Sequence, residues 1–198
     1  MSRVIFVFLM AVLAACSDSF TDSRDGSTYN VVRIGNLMWM AENLAYESDG
    51  SFCPDGDVKN CPKYGRLYTW DAARSACPEG WRLPEKRDFE SLIEAAGGAS
   101  VAGDALKSGS GWFKKGNGSD AFGFRALPAG YRSAGIEPDT PAKYGGIGGY
   151  TYFWSITEDA EGLVYYLFLD FSSKGASLNA FGKDAARSVR CVSEPLAE

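Results

Sequence analysis

Two cysteine-bearing segments far apart in the chain constrain its fold more than any other feature: Tyr64 to Leu83, YGRLYTWDAARSACPEGWRL, and Ser188 to Val192, SVRCV. The first reads as a short helix ending in Cys77, followed by a Trp-bearing extended segment. The second reads as a terminal strand carrying Cys191. A disulfide between them would tie the two ends of one domain together. Little else in the chain points to a reaction, so the residues speak more clearly about address and shape than about ligand.

Address decides what the cysteines mean. Arg3 is followed by an apolar run, Val4 to Leu13, and by Ala14 and Ala15 directly before Cys16. A mature membrane span wants about 20 apolar residues, so the run is read as a signal peptide, residues 1–15. Leu13-Ala14-Ala15-Cys16 resembles a bacterial lipoprotein cleavage box, which implies that Cys16 is lipidated and anchors the chain to a membrane. Each buried methylene contributes about 0.8 kcal/mol, so two or three acyl chains hold a domain where one would not. Ser17 in place of Asp after the cysteine points to the outer membrane of a bacterial cell envelope. Residues 16–27 are polar and are expected to be a flexible tether, with a single domain over 28–194.

Four cysteines then remain: Cys53, Cys61, Cys77 and Cys191. An even count in an oxidising compartment argues for two disulfides, and sequence alone permits three pairings. Cys53 with Cys61 and Cys77 with Cys191 is the favoured one. The first pair closes a short loop of turn formers, and the second joins a helix to the last strand. Loop-closure entropy assigns about 2.6 kcal/mol to the short bridge and about 4.8 to the long one. No CxxC spacing exists, which argues against zinc or thioredoxin-like chemistry.

The chain has no histidine, which removes Ser-His and Cys-His nucleophile pairs and His-ligated zinc together. Its net charge of -5, with no Lys/Arg cluster, leaves no footprint for nucleic acid. Neither a cofactor, a metal nor enzymatic activity is expected. Tyr29 to Ile34 and Leu37 to Met40 read as a hairpin around Gly35-Asn36. A helix starts with Thr69 as its N-cap and aligns Trp70, Ala73 and Cys77. A second follows Pro84, with Phe89, Leu92, Ile93 and Ala96 as its buried stripe and Gly97-Gly98 as its stop. Phe122 to Leu127, Tyr152 to Thr157, Leu163 to Asp170, Ala176 to Ala180 and Arg187 to Val192 are candidate strands. Gly130 to Gly149 reads as a long Gly-rich loop.

YNVVRIGNLMWMAENLAY, CPKYGRLYTWDAARSACPEGWRLP, GFRALPAGYR, FWSITE and SVRCV together resemble, in order and spacing, the Fibrobacter succinogenes major paralogous domain (FISUMP) from about Tyr29 to Ser193. TWDAARSAC, GWRLP and SVRCV also resemble the C-type lectin-like fold shared with formylglycine-generating enzymes. The resemblance implies an α+β domain: two helices, short antiparallel sheets and long Gly-rich loops. It also supports pairing Cys77 with Cys191. Classical lectins bind calcium through a Glu-Pro-Asn type triplet and a Trp-Asn-Asp triplet. Glu137-Pro138-Asp139 matches half of that set and FWSITE supplies no second triplet, while calcium wants six to eight oxygens. Asp55 and Asp57 in DGDVKN lack the further ligands of a calcium loop. The catalytic cysteine pair of formylglycine-generating enzymes is also missing, because Cys191 stands alone near the C-terminus.

A non-catalytic binding module is therefore the expected function. Tyr131, Tyr144, Tyr150 and Tyr152, with Arg132, lie in or beside the Gly-rich loop, where aromatic faces and hydroxyls suit an extracellular glycan or protein ligand. The alternative is a structural or accessory envelope lipoprotein without a dedicated ligand site.

Overall fold

The structure, a computed structural model, describes residues 18–133 and 141–195. Cys16 with its leader, and Glu137-Pro138-Asp139, lie outside them. Strands β1 (Asp18–Thr21), β2 (Thr28–Ile34) and β3 (Leu37–Met40) open the chain as an antiparallel meander. In β2 the alternation buries Tyr29 and Val31 and turns Thr28 and Asn30 outward. Gly35, at φ 62°, supplies the left-handed turn that brings Ile34 opposite Leu37.

The expected tether is corrected over 18–27. Asp18–Thr21 pairs with β2, and Asp22 is fully buried. The Arg24 guanidinium donates to Asp22 at 2.7 and 2.9 Å and to the Ala76 carbonyl at 2.9 Å. That ion pair holds the Asp22 carboxyl below its ordinary pKa. Polarity alone could not distinguish a solvated tether from an edge strand followed by a buried, paired aspartate.

Next come β4 (Ser51–Phe52), the single turn α1 (Cys61–Tyr64), β5 (Leu67–Thr69) and α2 (Trp70–Ala73). Thr69 caps α2 as expected, its hydroxyl accepting from Ala72 N at 3.3 Å. The helix lasts one turn and gives way to turns before Cys77. Helix α3 (Lys86–Ala95) is the expected second helix. It opens with Asp88 accepting from the Glu85 backbone N–H, and it buries Phe89 and Leu92. α4 (Ala102–Leu106) follows.

The rest of the chain is strand: β6 (Ala129–Ser133), β7 (Lys143–Ile147), β8 (Tyr150–Glu158), β9 (Val164–Asp170), β10 (Ser177–Phe181), β11 (Ala185–Ser188) and β12 (Val192–Ser193). The larger sheet runs β10-β9-β8-β6-β11-β5-β4, with β7 on β6, and the smaller runs β1-β2-β3-β12. Twelve strands in two sheets, among the described residues, overturn the expected α+β lectin-like arrangement of two helices with short sheets and long loops. The Gly-rich stretch read as a loop carries the β6–β7 pairing, Tyr131 opposite Gly145 and Ser133 opposite Lys143. A Cβ at Gly130 would lie 2.3 Å from the Gly145 carbonyl oxygen, so glycine there permits close strand approach instead of marking a loop. Phe122 to Leu127 is irregular, with only Ala126 bridging to Lys107.

The supposed last strand is two. β11 ends at Ser188 in the large sheet, Val189-Arg190-Cys191 crosses between sheets, and β12 joins β3 with Val192 opposite Trp39. The core bridges the sheets in the same way. Trp39 contacts Phe89 and Phe124, each at 5.6 Å between ring centroids, and Phe124 meets Phe153 at 5.8 Å. Both disulfides form in the favoured pairing, Cys53 with Cys61 and Cys77 with Cys191.

Candidate functional site

Alternation along β8 and β9 builds an aromatic face on the large sheet. Phe153 and Leu167 point into the core, which leaves Tyr150, Tyr152, Tyr166 and Phe168 on the other side, half-buried to exposed. Register sets Tyr152 opposite Phe168 with centroids 4.9 Å apart, and Tyr152 also meets Tyr166 at 5.7 Å. Tyr131, from β6, reaches Tyr152 edge-on at 5.5 Å. Tyr150 continues the row toward Phe168 and Phe171, at 6.0 and 6.1 Å. Phe181, on β10, is 62% exposed.

A pocket of about 220 Å³ opens in this face, lined by Tyr131, Ser133, Tyr152, Tyr166, Phe181, Ala185 and Arg187. Arg187 is only 5% exposed. Its guanidinium carbon lies 3.5 Å from the centroid of Tyr166, 4.4 Å from that of Trp154 and 5.1 Å from that of Tyr152. Its Nε and Nη1 are buried without a hydrogen-bond partner. Burial lowers the Arg187 pKa and pushes the Tyr152 hydroxyl up to about 12. A larger hollow, about 630 Å³, lies between Phe20, Trp81 and Met38, but the charged Arg33 and Glu79 at its rim are solvated.

The five residues expected to bind are divided by the fold. Tyr131 and Tyr152 line the pocket, and Tyr150 sits at the far end of the same aromatic row. Arg132 and Tyr144 pair across β6 and β7 on the opposite side. There the Arg132 guanidinium lies 4.0 Å from the Phe52 ring centroid, and Tyr144 packs against the cluster of Tyr64, Leu67, Ala129 and Ala186. Adjacent strand residues point to opposite faces, so Tyr131 and Arg132 could not share a site. Tyr166, Phe181 and Arg187 were missed. The signal was present as period-2 alternation, Tyr166 with Phe168 and Ala185 with Arg187, but which face stays open is a tertiary fact.

Several carboxylates have structural partners. Glu158 accepts from Lys183 at 2.6 Å. Asp159 accepts from the backbone N–H groups of Glu161 and Leu163, and Asp57 from that of Lys59.

Comparison with known proteins finds one family: the model described as the Fibrobacter succinogenes major domain matches residues 32–193. No curated protein and no solved structure matches the chain.

Proposed function

We propose that this chain, which belongs to the Fibrobacter succinogenes major domain family, is a non-catalytic binding module held at the bacterial cell envelope by lipidation of Cys16. One observation carries the binding reading: Tyr131, Tyr152, Tyr166 and Phe181 converge around a pocket also lined by Arg187, two of whose nitrogens lack a hydrogen-bond partner. Rings left open on a strand face cost solvation unless something covers them. They combine apolar area with low side-chain entropy, which suits the stacking of a glycan ring or the anchor of a protein ligand. Two disulfides agree with an exported domain.

The test is a glycan array and an envelope-protein pull-down with the oxidised domain, repeated with Tyr131→Ala combined with Phe181→Ala. Loss of any captured ligand is expected while the melting temperature barely moves, because partly exposed positions change stability by about 0.5 kcal/mol. Capture that survives the double substitution would move recognition to another surface, and no capture by the unsubstituted domain would leave the structural envelope role in its place. For the anchor, Cys16→Ser is expected to shift the full chain from washed membranes to the soluble fraction with its fold intact. Retention would count against lipidation.

A further inference from the structure

We infer that the Arg187 pocket accepts the carboxylate of an acidic sugar, a uronic acid ring whose face lies on Tyr131 or Phe181 while its carboxylate meets the guanidinium. The inference rests on the binding-module reading and names the ligand class of that same site.

A guanidinium taken almost wholly out of water is costly unless it is paired. The protein's other deeply buried arginine shows what payment looks like. Arg190 donates to the carbonyls of Met40 and Phe124 and to the Asn43 side chain, and only its Nε lacks an acceptor. Arg187 has a poorer set: Nε and Nη1 lack any acceptor, its side-chain hydrogen bond is with Tyr166, and no carboxylate acts on it among the described residues. Three aromatic rings attract the cation without accepting its in-plane N–H groups. What is missing is a planar anion, and a carboxylate matches guanidinium geometry.

The walls and size narrow the anion's carrier. At about 220 Å³ the pocket lies below the usual range for drug-sized ligands, so it takes one ring and not an extended chain. Its lining is aromatic around one cation, and no second cation lines it to favour a doubly charged phosphate. A buried arginine with two unpaired nitrogens is a local conflict of the kind that marks a functional position.

The experiment titrates methyl β-D-glucuronoside, methyl β-D-glucoside and inorganic sulfate into the oxidised, isotope-labelled domain and follows backbone amides with the Arg187 Nε–Hε resonance. The two sugars differ only where a carboxylate replaces a hydroxymethyl group. Glucuronoside is expected to bind at least about tenfold tighter than glucoside and to move the Arg187 and Tyr131 resonances, as befits a charge-assisted hydrogen bond. Arg187→Met should lower that affinity at least about tenfold while the melting temperature holds or rises, since no buried carboxylate is orphaned.

Equal affinity for the two sugars, both abolished by Tyr131→Ala, would overturn the carboxylate inference and leave the aromatic binding face standing. Sulfate binding as tightly as glucuronoside without moving Tyr131 would overturn the sugar assignment. Absence of any shift with either sugar would overturn the inference, while a protein captured in the preceding test would still uphold the module. Collapse of the fold in Arg187→Met would show that the cation serves packing and would equally sink the proposal.

Discussion

Replacing Arg190 with Met is expected to cost the domain about 3–5 kcal/mol, a large share of the roughly 5–15 kcal/mol by which such domains are stable. Arg190 is fully buried where the chain crosses between the sheets. Its Nη1 donates to Met40 O at 3.1 Å and to Phe124 O, and its Nη2 to Asn43 Oδ1 at 2.6 Å. Burial lowers its pKa to about 9, which leaves it charged at neutral pH. A methionine fills much of the volume and rests against Phe124 and Phe153, yet it leaves all three acceptors buried and unpaired. Each orphaned acceptor carries a desolvation penalty of about 1–3 kcal/mol. Urea unfolding, with the midpoint shifted and the slope unchanged, is the readout. A loss under about 1 kcal/mol would show that these carbonyls find other donors, and the crossing would then not depend on Arg190.

Removal of the long disulfide ranks next. Cys77→Ala with Cys191→Ala is expected to destabilise the oxidised domain by up to about 4.8 kcal/mol, against about 2.6 for Cys53→Ala with Cys61→Ala. The sequence separations are 114 and 8 residues, so the long bridge restricts far more of the unfolded chain. Location adds to the difference: Cys191 is fully buried among Tyr68, Trp70, Leu83 and Trp154, whereas the short bridge staples a solvated turn beside Arg66. Paired urea titrations decide it. A short-bridge variant that loses as much as the long-bridge variant would contradict the loop-entropy account and place the effect in native packing.

Legibility followed the range of the interactions. Local chemistry was readable: the Gly35-Asn36 hairpin, the Thr69 cap and the Phe89/Leu92 stripe depend on neighbours within a few residues. The extent of the first helix was not. Trp70 commits its indole N–H to the Ser155 carbonyl, 85 positions away, and the chain turns after Ala73. The Gly-rich stretch misled for a related reason, because glycine marks a mobile loop and a tight strand contact alike. The candidate site was half legible. Tyr131 and Tyr152 stood out as aromatics beside that stretch, while Arg187 looked like one more strand residue.

By itself the sequence determined the family over nearly the whole domain, the hairpin, the Thr69 cap and the second helix, since each depends on residue identity and short spacings, and it favoured one of three cysteine pairings. Tertiary structure alone decided that the domain is mostly β, that Arg187 and Arg190 meet opposite fates three residues apart, and which tyrosines share a face. Strand register and sheet order set those outcomes. A strand's alternation says that two faces exist, and only packing against Phe124, Phe153 and α3 closes one and leaves the other open.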